Sequence, residues 1–389
     1  MDNFVFCSPT KVLFGECVEK QVGGLIREYG FKKVLLHYGG GSIQKTGLYD
    51  SVTQSLQQSG VAYAELGGVS PNPKLSLVRE GITFCREEKV DFILAVGGGS
   101  VIDSAKAIGM GLRMGGDVWD IYTGKHKAVE TVPVGVILTL AAAGSELSMS
   151  SVITNEEMKL KRGQNNEVCR PLFAMLNPAL TFSVSKFQTA CGIVDIIMHT
   201  LERYFGTPSQ TMLTDSMAEG LMRTVMDAGK RAYANPEDYD ARGELIWASS
   251  LSHNGITGCG RTGDWATHQL EHEISGMFDH VAHGAGLSVM YPAWARYVCK
   301  TDYARFAQLA VNVWGVAPCA SEKETAHAGI DAAEAFFKSL DMPTRLPELG
   351  VGAECIDGLV SQAYLTRESF GAFKPILKDD AAAIYRLAL

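Results

Sequence analysis

The 389-residue chain has no long apolar run. No segment approaches eighteen uninterrupted apolar residues, so no membrane-spanning helix is expected. The opening MDNFVFCSPTKVLFG has neither the basic region nor the apolar core of a secretory leader, and the expected location is the cytoplasm. Nine cysteines occur, at 7, 17, 85, 169, 191, 259, 299, 319 and 355, and no two form a CxxC pair. An odd count with that spacing excludes a disulfide framework or a zinc ribbon and fits reduced thiols. Lys and Arg are outnumbered, 35 against 43 Asp and Glu, and they nowhere cluster. A nucleic-acid partner is therefore not expected. Repeats, low-complexity tracts and flexible linkers are also missing. What remains is an ordinary globular composition, 46% apolar and 20% charged, in a chain long enough for two cores.

The first half alternates strand-like and helix-like segments. KKVLLHYGG reads as a buried strand ending in glycines, LYDSVTQSLQQSG as a helix, and VAYAEL as a short strand. LSLVREGITFCREEK is amphipathic, DFILAVGGGS is β-rich, SVIDSAKAIGMGLRM is helical, and VPVGVILTLA is a strand again. Such alternation predicts a parallel, Rossmann-like α/β sheet. After about residue 183 only helical patterns and connectors follow. Two domains are expected: residues 1–183, α/β, and residues 184–389, all-helical.

Two glycine loops end strands of the first domain. Gly97-Gly98-Gly99-Ser100 opens a helix, where free N–H groups and the helix dipole favour an anion such as a pyrophosphate. It is not a GxGxxG fingerprint, and a plain strand-to-helix turn is the competing reading. The second loop is Gly39-Gly40-Gly41-Ser42. An NAD site commonly carries an acidic side chain after such a strand to bind the ribose 2′-hydroxyl. Here no acid stands between Tyr38 and Tyr49, while Ser42 and Lys45 are present. That chemistry suits a 2′-phosphate, so NADP(H) is expected over NAD(H).

Five of the nine histidines, His253, His268, His272, His280 and His283, fall within one stretch of 31 residues. Asp264 reads as a helix N-cap, and His268 and His272, four apart, share a helix face. His37, His126 and His327 stand alone and are expected to be hydrogen-bonded structural side chains. Upstream, Ser185 and Gln188 have capping-box spacing, which puts Asp195 and His199 at i and i+4 of a helix. Asp195 lies among Ile193, Val194, Ile196 and Ile197, where an unpaired carboxylate is costly. A metal would satisfy Asp195, His199, His268 and a fourth imidazole together. One carboxylate with three imidazoles suits Fe²⁺, Zn²⁺ or Mn²⁺ better than Mg²⁺ or Ca²⁺.

DIIMH, GDWATHQLEHE and HGAGL, together with GGGSVIDSAKA, AGSE and PTKVLFG, resemble the iron-containing (group III) alcohol dehydrogenases, in particular the butanol-dehydrogenase branch. The likeness runs to the closing GAFKPILKDDAAAIYRLAL. It implies a dehydroquinate synthase-like fold, in which a nucleotide-binding α/β domain and a helical metal-binding domain enclose a cleft. The ligands it implies are Asp195, His199, His268 and His283, with His272 near the substrate. It assigns the Gly97–Ser100 loop and Asp103 to the pyrophosphate and nicotinamide side. Thr139 and Leu140 line the cofactor, Lys161 lies near its ribose, and Asn72 near the adenosine. One departure stands out. The family usually places its last ligand fourteen residues after the first histidine of the helix; His283 is fifteen on, and His280 lies within the extra length as a rival.

The implied reaction is reversible hydride transfer between a primary alcohol, butanol-like, and NAD(P), assisted by one Fe²⁺ or Zn²⁺ ion. His272 would relay the proton, or else orient a ligand. Trp265, Phe278 and Tyr291 are candidates for an apolar substrate wall, and a homodimer is the family's expectation. Two rivals use the same residues. His268-Gln269-Leu270-Glu271-His272 fits the HxxEH zinc-hydrolase motif, with Glu271 as general base. Glycerol and polyol dehydrogenases share the implied fold.

Overall fold

The computed structural model describes residues 1–207 and 211–389. Their packing divides into two compact units: Ser8–Val184 with Pro236–Ser250, and Met1–Cys7 with Ser185–Asn235 and Leu251–Leu389. Two segments thus lie across the single boundary expected at residue 184. The first seven residues group with the helices, and 236–250 group with the sheet.

The first unit is built on a six-stranded sheet. Its strands are β1 (Lys11–Phe14), β2 (Lys33–Tyr38), β3 (Ala62–Leu66), β4 (Phe92–Gly97), β5 (Val134–Leu138) and β8 (Phe173–Leu176), all paired in parallel. Their order across the sheet is β1-β8-β5-β4-β2-β3. A separate antiparallel hairpin joins β6 (Ser150–Asn155) to β7 (Leu160–Asn165). The central strand β4 shows why the sheet is covered on both faces. Phe92, Leu94 and Val96 enter one core, while Ile93 and Ala95 enter the other. A strand buried on both sides needs a continuous apolar run, and FILAV supplies it. Helix α1 (Gly99–Leu112) leaves β4 directly and packs back on the sheet.

His37, in β2, is fully buried. Its Nδ1–H donates to the Leu66 carbonyl at 2.7 Å, and its Nε2 accepts from the Ser104 hydroxyl at 2.9 Å. Burial pushes the imidazole from 6.5 down to about 4, against the Leu66 hydrogen bond. The folded pKa therefore lies below the unfolded one, and as pH falls the unfolded chain takes up the proton first. The stabilisation is complete above pH 6.5 and is lost between 6.5 and about 4. The loss amounts to roughly 3 kcal/mol at pH 4. Urea unfolding in chelator at pH 7 and pH 4 reads it, and His37→Gln is expected to flatten the dependence by about that amount.

The second unit is helical. Among its described residues only the isolated bridges Thr207–Thr262 and Phe370–Ile376 have β character. Three of its helices carry His199, His268, His272 and His283: α2 (Lys186–Tyr204), α3 (Ala266–Met277) and α4 (His283–Val298). The Ser185 hydroxyl caps α2 by accepting from Gln188 N at 3.2 Å. Asp264 stands one residue ahead of the α3 cap position, which Trp265 fills in a left-handed conformation at φ 63°. The Asp264 carboxylate still reaches the helix start, accepting from Ala266 N at 3.3 Å. No helix among the described residues is long and apolar enough to cross a membrane.

Candidate metal centre and cofactor loops

On α2, Asp195, His199 and Glu202 occupy i, i+4 and i+7, one stripe of the helix, and all three are buried. His268, Glu271 and His272 repeat the idea on α3 at i, i+3 and i+4. His283 is the first residue of α4. These elements converge on Asp195 Oδ1. It lies 3.0 Å from His199 Nδ1, 3.7 Å from His283 Nε2 and 3.9 Å from His268 Nε2. The rings meet edge to face, with centroids 4.5 Å apart for His199 and His268 and 5.3 Å for His268 and His283.

Every one of these imidazoles has its Nδ1 engaged. His199 Nδ1 bonds to its own helix at Asp195 O (3.0 Å), His268 Nδ1 to Glu202 Oε1 (2.8 Å), and His283 Nδ1 to Glu271 Oε2. For His268 that leaves the Nε2 lone pair for another partner. His268 Nε2 is buried without a hydrogen-bond partner, and Asp195 Oδ1 has no hydrogen bond beyond its 3.0 Å contact with His199 Nδ1, an arrangement that a cation between them would satisfy. Burial would raise the Asp195 carboxyl, but His199, His283 and His268 outweigh it and hold the group below the usual carboxylate range. Burial, then repulsion from His199 and His283, holds His268 neutral and so competent as a ligand. Glu202 and Asp264, which lie near each other, are both pushed upward by burial.

Asp195, His199 and His268 each offer a donor atom within 4.8 Å of the others; Glu271, His272 and His283 form a second such set. His272 therefore sits at the flank, its ring 5.5 Å from that of His283 and 6.2 Å from that of His268. His280 is exposed and bonds the Leu349 carbonyl at 3.1 Å, apart from the ring cluster. His253 is buried with Nδ1 accepting from Arg203 Nη2 at 3.2 Å, its ring edge-on to His199. Trp265 stands beside the cluster, its ring 5.4 Å from that of His268, with the Arg203 guanidinium 4.7 Å over the indole. Tyr291 does not belong to an open wall: it is fully buried against Trp294 and Phe337.

In the sheet unit the Gly97 loop runs from the end of β4 into α1, with Gly98 as the helix cap. A side chain on Gly97 would strike Val101 at 2.5 Å, and one on Gly98 would press Leu140 at 3.2 Å. Thr139 N donates to Gly97 O at 3.1 Å, which brings Thr139 and Leu140 to the loop. Asp103 is spoken for by the protein, its two oxygens accepting from Ser145 Oγ (2.5 Å) and Val152 N (2.9 Å). Lys161 and Asn72, 89 residues apart, meet at 3.0 Å, Nζ to Oδ1. The Gly39–Ser42 loop follows β2 directly, and Ser42 and Lys45 are exposed on the short helix Ser42–Lys45.

Sequence reasoning missed Glu202 and gave Glu271 a different role. The available signals were spacings: Glu202 falls three residues after His199, and Glu271 three after His268.

A parallel sheet with glycine loops at strand ends, together with a helical unit that gathers one carboxylate and several imidazoles, defines a metal-assisted dinucleotide enzyme. Family models agree: residues 9–178 match "Iron-containing alcohol dehydrogenase" and residues 189–389 match "Fe-containing alcohol dehydrogenase family, C-terminal". The chain belongs to the iron-containing alcohol dehydrogenase family, and its full-length relatives place it in the butanol-dehydrogenase branch. It is 41% identical to the probable NADH-dependent butanol dehydrogenase 1 of Bacillus subtilis, over 100% of both chains. It is 35% identical to the NADPH-dependent aldehyde reductase YqhD of Escherichia coli, over 93% of each. The crystal structure of the NADH-dependent butanol dehydrogenase A of Thermotoga maritima superposes with a TM-score of 0.97 at 38% identity, covering 100% of this chain and 99% of that one.

Proposed function

We propose that this protein is an oxidoreductase that interconverts primary alcohols, butanol-like in size, and their aldehydes by hydride exchange with NADP(H). Its working direction is aldehyde reduction. A single divalent cation, Fe²⁺ or Zn²⁺, is held by Asp195, His199, His268 and His283. The observation that carries the reading is the convergence of three imidazoles on the buried Asp195 Oδ1, with His268 Nε2 buried, 3.9 Å away and without a hydrogen bond. When bound, the cation supplies Lewis-acid polarisation of the substrate oxygen, and the nicotinamide supplies the hydride.

The chain's own side chains do the rest. Asp195 contributes the anionic donor, His268, held neutral by burial, contributes a donor that needs no deprotonation, and His199 and His283 complete the set. His272, flanking His283, holds and passes a proton between the substrate oxygen and solvent. Gly97, Gly98, Gly99 and Ser100 bind the pyrophosphate, with Asp103 fixing the helix behind them to the hairpin. Gly39, Gly40, Gly41, Ser42, Asn72, Thr139, Leu140 and Lys161 complete the cofactor site. The hydrolase alternative is disfavoured by Glu271, which is wholly buried and paired with His283, and so cannot face a water as general base.

Relatives named for NADH and for NADPH both occur, so the preference rests on the acid-free β2 loop. Lys45→Ala is expected to lower kcat/KM with NADPH by about 10-fold, the worth of one charge-assisted bond, and to leave the NADH value nearly unchanged. The deciding experiment is a panel of aldehydes and alcohols assayed with NADPH and NADH, on protein reconstituted anaerobically with Fe²⁺ or with Zn²⁺. Absence of any nicotinamide-linked turnover would remove the assignment. A cytoplasmic location, which nine unbridged cysteines support, and the homodimer that the family resemblance implies complete the proposal.

A further inference from the structure

The three imidazoles nearest Asp195 are aimed by three different devices, and the pattern is directional. His199 uses its own helix, Nδ1 to Asp195 O. His268, on α3, is held from α2: Glu202 Oε1 accepts both its Nδ1–H and its backbone N–H, each at 2.8 Å. His283, on α4, is held from α3, where Glu271 Oε2 takes its Nδ1–H. Glu202 and Glu271 are buried, 3% and 0% exposed, so neither is a surface carboxylate that happens to lie nearby.

We infer that Glu202 and Glu271 are positioning residues for the cation site, each fixing the tautomer and aim of a histidine on the next helix. Of the three helices, α2 braces α3 and α3 braces α4. A carboxylate on Nδ1 forces the proton there, keeps Nε2 as the donor, and raises the basicity of the ring. The inference rests on the proposed cation site, and its test separates the two.

The experiment measures Co²⁺ affinity by chelator competition, together with the visible absorption of bound Co²⁺, for wild type, Glu202→Gln, Glu271→Gln, Glu202→Leu and Asp195→Asn. Far-UV circular dichroism and thermal unfolding of the metal-free forms run alongside. Each glutamine variant is expected to bind Co²⁺ about 10- to 100-fold more weakly, with an altered spectrum and a metal-free unfolding midpoint close to wild type. Wild-type affinity and spectrum in both glutamine variants, while Asp195→Asn has lost the ion, overturns the inference and leaves the site standing. The inference also fails if Glu202→Leu unfolds while Glu202→Gln binds normally, since the role is then structural. Full Co²⁺ binding by Asp195→Asn overturns the cation site itself, and the inference with it.

Discussion

Asp195→Asn is expected to leave the helical unit folded but empty of metal, and to lower kcat/KM by about 10³-fold, roughly 4 kcal/mol of transition-state stabilisation. Asparagine has the same shape, so the packing of this buried side chain is retained. What disappears is the charge that His199, His268 and His283 surround, the charge whose ionisation those neighbours already favour over burial. The three imidazoles remain, but a divalent cation among these buried donors then lacks its anionic partner. Elemental analysis after dialysis, paired with steady-state rates on a butanal-like aldehyde, reads both effects. Full metal content with full turnover would show that Asp195 is not a ligand.

Gly284→Ala is the second large effect, and it acts without touching any donor. A Cβ at Gly284 would lie 2.6 Å from Cys191 Cα, against the backbone of α2 one turn before Asp195. Backbone inside a buried helix cannot swing aside as a side-chain tip would. To relieve the clash, α4 must move off α2, and His283 heads α4. The expected cost is about 1–3 kcal/mol of stability, typical of overpacking. Cation affinity is expected to fall at least 10-fold through the lost Asp195–His283 approach. Denaturant unfolding and chelator competition measure the two, and wild-type values in both would mean that α4 has room to spare. Gly286 repeats the theme more mildly, because its added Cβ would meet the Glu271 side chain at 2.6 Å. The glycines of HGAGL are thus steric requirements for bringing a histidine-bearing helix close.

The strands that the chain announces are those with enough length to show a pattern. FILAV of β4 and VLLHY of β2 are apolar runs ended by glycines, and both form strands of the parallel sheet. KVLF and FAML are four residues each, too short to display a period, and they emerge as β1 and β8 only because neighbours in the sheet supply their hydrogen bonds. The β6–β7 hairpin went unread for a related reason: LKRGQN carries two cations and a glycine, a poor strand by propensity that its pairing partner sustains.

The histidine cluster divides the same way. Asp195 with His199, and His268 with His272, were legible because a helix places i and i+4 on one face, a consequence of local geometry alone. Local spacing does not separate His283, His280 and His253, and only the HGAGL resemblance favoured His283, with His280 as its rival. Their fates differ because α4 turns His283 toward Asp195, Leu349 takes His280, and Arg203 takes His253. Tyr291 looked like part of an apolar wall and is buried in the helical core instead.

The amino-acid sequence by itself determined the two kinds of architecture, the glycine loops at strand ends, and the two donor pairs on α2 and α3, since each depends on residues within a turn or a strand of one another. Only the tertiary structure decided which third imidazole faces Asp195, which glutamates hold the rings, and that Lys161 meets Asn72. Those pairings join residues 12 to 89 positions apart, so they are set by how the elements pack and not by any local preference of the chain.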